Sequence, residues 1–180
     1  MKIEFSQEEL SKVAEIISRY PEGKSKSALL PILHLAQDKF GWCSVDVMDY
    51  VASLLKIKPV EVYEVASFYT MFNLKPTGKY VLEVCRTGPC CLRGAEKIID
   101  YLEHKLEVKV GQTTKDGMFT LKTVECLAAC GMAPMLQLDD KYIEYLSESK
   151  VDELLADCRA NQHQRNPVLW ETVFSNATNS

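Results

Sequence analysis

Two short stretches of this 180-residue chain hold the residues best able to do chemistry. They are Cys85-Arg-Thr-Gly-Pro-Cys90-Cys91 and Val124-Glu-Cys126-Leu-Ala-Ala-Cys130-Gly-Met-Ala-Pro134. Read as a pattern, they give Cys-x4-Cys, a long gap, then Cys-x3-Cys. Each falls where an expected strand breaks into a loop, so each sets thiols at the edge of a small sheet. Four thiolates converging on one point suit a binuclear iron–sulfur centre, because two tetrahedral irons bridged by two sulfides need four outer ligands. Thiolate is soft enough for ferric and ferrous iron and neutralises their charge. Cys85, Cys90, Cys126 and Cys130 are therefore the candidate ligands of a [2Fe-2S] cluster.

Other chemistries compete for the same residues. Zinc also accepts four thiolates, although its structural sites favour tighter knuckles such as Cys-x2-Cys. A thiol–disulfide oxidoreductase wants Cys-x-x-Cys at the opening of a helix, and that spacing is absent. A plant-type ferredoxin needs a third cysteine where Arg93 stands.

The segment VECLAACGMAP, the preceding Cys-x4-Cys and the upstream stretch ASFYTMF (66–72) resemble the thioredoxin-like [2Fe-2S] ferredoxin family. Within it they resemble the small NADH-dehydrogenase subunits of respiratory complex I, those of the 24 kDa type. The likeness extends over most of residues 6–157. It implies a thioredoxin-like domain around one [2Fe-2S] cluster, with Cys91 as a non-ligand. It also implies a larger partner flavoprotein, of the 51 kDa type, that binds NADH and FMN, with part of the 66–72 region in contact with it. The implied role is one-electron transfer in a soluble peripheral arm of a membrane-associated complex. An equivalent subunit of a NAD-linked hydrogenase or formate dehydrogenase is an alternative, as is a stand-alone redox sensor or ferredoxin.

Composition agrees with a globular chain: 47% of residues are hydrophobic and 26% charged. A net charge of −4 argues against nucleic-acid binding, which needs a basic face to displace counterions. No apolar run approaches the roughly 20 residues that cross a bilayer. The opening MKIEFSQEEL lacks the apolar stretch of a signal peptide, so a cytoplasmic location is expected. There, an odd count of seven cysteines reads as ligands and spare thiols rather than disulfides. Cys43, Cys91 and Cys158 are read as spare. His34, His104 and His163 have no metal-ligand spacing, and Asn176-Ala-Thr178 is a chance sequon. No glycine-rich dinucleotide fingerprint is present, so nicotinamide and flavin belong elsewhere.

The positioning elements follow in chain order. Residues 1–76 read as a helical bundle. Its first helix spans 6–20, capped by Ser6 and Glu9, with Leu10, Val13, Ile16, Ile17 and Tyr20 inward. Helices over 27–40, 44–55 and 59–72 follow, the last with Val62, Val65, Ala66, Tyr69 and Phe72 buried. The Lys56-Ile57-Lys58 link between two helices hints at DNA reading, but Asp46, Asp49, Glu61 and Glu64 around it would repel phosphate.

Lys75-Pro-Thr-Gly78 is a turn at the domain boundary. Residues 77–158 then read β-α-β-β-β-α: a strand KYVLEVC, a helix over 92–104 and a strand over 118–124. A hairpin with its turn at Asp139-Asp140 and a helix over 149–158 complete the order. The fold class is thus α/β (α+β), with the strand order supported by the resemblance. Around the thiols, Gly88 and Gly131 are expected to bring amides close to sulfur. The start of the 92–104 helix, Arg86, Arg93 and Lys97 are expected to add positive potential. Residues 159–180 read as a tail, in which the large apolar Trp170 and Phe174 imply either disorder or a docking segment.

Overall fold

The computed structural model describes residues 3–139 and 141–160. Asp140 and the segment carrying His163, Trp170, Phe174 and the 176–178 sequon lie outside the described residues. The chain divides into two compact units, Met1–Pro76 and Thr77–Ser180.

The first unit is helical. Helix α1 (Gln7–Ser18) starts where the capping box places it, with the Glu9 amide donating to Ser6 Oγ and the Ser6 amide to Glu9 Oε2. A 3-10 turn (Ser25–Ala28) leads into α2 (Leu29–Phe40), so Pro31 falls in the first turn, where its missing N–H is harmless. Gly41, at φ 85°, ends α2 in the left-handed conformation that glycine adopts without strain. Helix α3 (Val45–Leu55) is capped by Ser44, and α4 (Pro59–Phe68) opens on its proline. Ile16, Ile32, Leu33, Val51, Leu55 and Val62 are buried within this unit.

One expectation fails here. Helix α4 stops at Phe68 instead of reaching residue 72, and Tyr69 is exposed rather than buried. The reason lies in α2. The Gln37 side-chain amide donates to the Met71 carbonyl, and its oxygen accepts from the Asn73 amide at 2.6 Å. These bonds tie the backbone of residues 71–73 to α2 instead of to a continuing helix. Phe72 then turns inward and packs on His34 with ring centroids 4.9 Å apart.

The second unit is a four-stranded sheet in the order β2-β1-β3-β4. Its strands are β1 (Tyr80–Cys85), β2 (Phe119–Val124), β3 (Leu136–Leu138) and β4 (Lys141–Ile143). Strands β1 and β2 are parallel, and β3 and β4 are antiparallel to their neighbours. The parallel pair needs a crossover, which α5 (Gly88–Leu92) and α6 (Ala95–Leu106) supply, and α7 (Glu148–Arg159) closes the order. Leu82, Leu102, Phe119, Leu121, Leu136, Leu138, Val151 and Leu155 form the core between sheet and helices. Gly78 enters β1 so close to Phe119 that a Cβ would stand 2.9 Å from its backbone, and the Gly78 amide donates to Thr120 Oγ1.

The single helix expected over 92–104 is two helices. Arg93 folds back to bond the Pro89 and Cys90 carbonyls, and Gly94, at φ 94°, redirects the chain into α6. Cys90 and Cys91 therefore lie within a helical turn rather than in a loop before one.

Candidate metal centre

Register brings the two cysteine stretches together. Cys85 is the last residue of β1 and pairs with Val124, the last residue of the parallel β2. Parallel neighbours end at the same sheet edge, so the chains leaving them depart side by side. The Arg86 amide donates to the Val124 carbonyl at 3.0 Å, and the Arg86 guanidinium meets the Glu125 carboxylate at 2.9 Å. Five residues after Cys85, α5 presents Cys90, and Cys126 and Cys130 follow β2 directly, with Cys130 opening a 3-10 turn (Cys130–Met132).

The four thiols stand in very different surroundings. Cys85 and Cys90 are buried with Ala95, Ala133 and Met135, and Leu127 and Ala129 pack against that group. Cys126 and Cys130 are exposed. Among the described residues the thiols associate two and two, with no three His, Cys, Asp or Glu side chains gathered as a metal-holding group.

The local chemistry of each sulfur follows from its neighbours. Burial pushes Cys85 up, but hydrogen bonds from the Thr87 hydroxyl, the Thr87 and Leu127 amides and the Cys90 thiol outweigh it, so its pKa is lowered. As a thiol, Cys85 also donates to the Glu125 carbonyl at 3.0 Å. Burial, then the Cys85 sulfur beside it, raises Cys90 to about 11. Desolvation and the sulfurs of Cys126 and Cys85 hold Cys130 above the ordinary thiol range. The Ala128 amide donates to Cys126 Sγ at 3.3 Å.

This donor set fits a cluster that wants four soft anionic ligands. All four cysteines are free of disulfides, two loops supply them at one sheet edge, and backbone amides of the same loops point at two of the sulfurs.

The other thiols have separate roles. Cys91, one residue further round α5 than Cys90, is half-exposed and donates to the Arg86 carbonyl at 3.0 Å. Cys43 and Cys158 are buried within the two units, and burial raises them to about 12 and about 11.

The surroundings expected from sequence are partly redistributed. Helix α5 has only five residues, so its dipole is small. Arg86 is engaged by Glu125, and Arg93 and Lys97 are exposed. A Cβ on Gly88 or Gly131 would meet nothing within 4 Å, so no neighbouring protein atom demands glycine there. Sequence reasoning missed Thr87, Leu127 and Tyr142. The Tyr142 hydroxyl donates to the Leu127 carbonyl at 2.7 Å, a contact made only once the hairpin has folded back on the loop. Thr87, by contrast, sits inside the motif and was available to inspection.

Residues 13–159 match the family described as thioredoxin-like [2Fe-2S] ferredoxin. The NADH-quinone oxidoreductase E subunit of Rickettsia prowazekii is 47% identical over 152 residues, 84% of this chain and 86% of that one. Mitochondrial NADH dehydrogenase [ubiquinone] flavoprotein 2 of Dictyostelium discoideum is 45% identical over 160 residues, 88% of this chain and 65% of that one. A solved NAD+-reducing [NiFe]-hydrogenase shares the fold, with a TM-score of 0.66 at 20% identity over 74% of this chain; the chain spans only 23% of the hydrogenase chain. With the two cysteine stretches, the parallel register that joins them and these likenesses in agreement, the chain belongs to the thioredoxin-like [2Fe-2S] ferredoxin family.

Proposed function

We propose that this chain is the iron–sulfur electron-transfer subunit of an NADH:quinone oxidoreductase, with Cys85, Cys90, Cys126 and Cys130 holding one [2Fe-2S] cluster. The observation that carries the ligand set is the Cys85–Val124 register, which sends both cysteine stretches out of one sheet edge. Relatives 44–47% identical and named as E subunits of NADH-quinone oxidoreductase carry the assignment to that complex, ahead of the hydrogenase, whose likeness is one of fold.

When bound, such a cluster accepts and returns one electron at a time. The chain's own residues set the conditions for holding it. Ala95, Ala133 and Met135 exclude water from Cys85 and Cys90. The Thr87 hydroxyl and the Thr87 and Leu127 amides favour the Cys85 thiolate, which is the form a metal takes. The exposed Cys126 and Cys130 place the other half of the ligand set at the surface. NADH and FMN are assigned to a partner flavoprotein of the 51 kDa type, in line with the lack of a dinucleotide fingerprint in this sequence. Among the described residues no helix is long and apolar enough to cross a membrane, and this reading puts the chain in the peripheral arm of the complex.

The test is NADH-dependent bleaching of the cluster absorbance. The purified, loaded chain alone is expected not to bleach, because one-electron centres do not take a hydride, and to bleach once the flavoprotein is added. Rapid bleaching by NADH without a flavoprotein would sink this reading.

A further inference from the structure

Tyr142 lies on the edge strand β4, half of it open to solvent, yet its hydroxyl donates to the Leu127 carbonyl at 2.7 Å. Leu127 stands between Cys126 and Cys130, so this bond ties the edge of the sheet to the turn that carries the exposed pair.

That turn needs a tie. Ala128 adopts φ 59°, a left-handed conformation that disfavours any residue with a Cβ. Packing holds only part of it: Leu127 and Ala129 lie against the Cys85 and Cys90 group, while Cys126 and Cys130 are both exposed. The backbone on either side is fixed: the Arg86 amide bonds Val124 before the pair, and the Tyr145 and Leu146 amides bond Met132 and Pro134 after it. Between those anchors, Leu127 is held from both sides. Its amide faces the Cys85 sulfur, and its carbonyl accepts from Tyr142. Leu127 is therefore the residue through which one cysteine pair is oriented toward the other.

We propose that Tyr142 is a positioning residue for the cluster, acting through Leu127 to hold the Cys126–Cys130 turn against the Cys85 side of the site. The proposal rests on the ligand reading given above. Tyr142→Phe keeps the ring and removes only the hydroxyl. Tyr145→Phe alters a second exposed tyrosine of the same segment whose anchoring bond comes from its backbone amide.

The experiment uses the full-length chain loaded with iron and sulfide, in four forms: wild type, Tyr142→Phe, Tyr145→Phe and Cys126→Ala. It reads the rate of iron loss to a chelator, the EPR g values of the reduced chain and the thermal midpoint of the cluster-free chain. Tyr142→Phe is expected to load fully and keep the cluster-free midpoint, yet to lose iron roughly two- to tenfold faster, the range that one net hydrogen bond supplies. Its g values should shift as well, while Tyr145→Phe matches wild type in all three readings. Wild-type g values and iron loss in Tyr142→Phe, with Cys126→Ala unable to hold iron, would overturn the positioning role alone. A lower midpoint with unchanged g values would also overturn it, by assigning Tyr142 to stability. Full iron retention by Cys126→Ala would overturn the ligand reading and this proposal with it.

Discussion

Cys85 and Cys90 sit inside the hydrophobic interior of the second unit, backed by Ala95, Ala133 and Met135, whereas Cys126 and Cys130 stand exposed on a turn held by a few hydrogen bonds. The first pair is positioned by packing, which is collective and resists change at one atom. The second is positioned by the packing of Leu127 and Ala129 beside it and by named bonds, each worth about 0.5–1.5 kcal/mol. A site built this way has a rigid half and an adjustable half. The adjustable half faces solvent.

The largest effects come from removing sulfur. Alanine at Cys85, Cys90, Cys126 or Cys130 is expected to abolish cluster binding, and Cys91→Ala to leave iron and sulfide content unchanged. Iron analysis of the purified variants decides this, and the cluster-free forms sharpen the contrast. Cys85→Ala and Cys90→Ala remove buried atoms and should lower stability by about 1–2 kcal/mol. The exposed pair should change it by about 0.5 kcal/mol or less. Equal losses from both pairs would erase the distinction.

Next in size is a change in the sheet that backs the rigid half. Leu82 is fully buried at the middle of β1, so Leu82→Ala should destabilise the chain by about 2–5 kcal/mol in denaturant titrations. Because β1 aligns Cys85 with Val124, cluster loading at a given temperature should fall with it. A loss of stability with undiminished loading just below the new midpoint would mean that the loops find each other without the sheet.

Much of this was legible in the sequence, for reasons that differ by region. The alternation in KYVLEVC and the Ser6, Ser44 and Gly41 helix ends are local signals, and the structure keeps them. The end of α4 was not legible, because Gln37 on another helix captures Met71 and Asn73 and so overrides a continuing apolar period. The break between α5 and α6 had a visible cause in Gly94, but the apolar spacing of 95–102 masked it. The unequal burial of the thiols had no local signal at all, since it depends on Met135 and Ala133 returning from β3's approach to cover one pair. Tyr142 was hidden for the same reason: its partner is 15 residues away along the chain.

Thiol alkylation tests burial directly. In the cluster-free chain, the exposed Cys126 should react first with iodoacetamide, ahead of the half-exposed Cys91 and of Cys130, which is exposed but held above the ordinary thiol range. Cys43 and Cys158 are buried and raised to about 12 and about 11, so they carry little thiolate at pH 8 and should react at least about tenfold more slowly. Cys90, buried and raised to about 11, belongs with the slow group. Peptide mapping by mass spectrometry reads the order, and loading the cluster should remove Cys126 and Cys130 from the reactive set. Labelling of Cys90 as fast as Cys126 would show that the interior half is open in solution.

The smallest expected effect is electrostatic and probes the bridge between the two loops. The Arg86–Glu125 pair joins the residue after Cys85 to the residue before Cys126 at 2.9 Å, with side chains 56% and 75% exposed. An ion pair so open to water contributes about 0–1 kcal/mol to stability, so neither Arg86→Gln nor Glu125→Gln should alter folding measurably. Each nevertheless removes one charge near the sulfurs. Reduction adds negative charge to the site, so losing the arginine should lower the potential and losing the carboxylate should raise it. Water screening limits each shift to about 10–30 mV, and raising salt toward about 1 M, where the Debye length is near 3 Å, should shrink both. The double variant should return close to wild type, because its two changes oppose each other. An EPR-monitored redox titration of the loaded chain measures all three. Shifts of the same sign in the two single variants would mean that the pair acts by holding the loops in place, which would move it from electrostatics to the same positioning work as Tyr142.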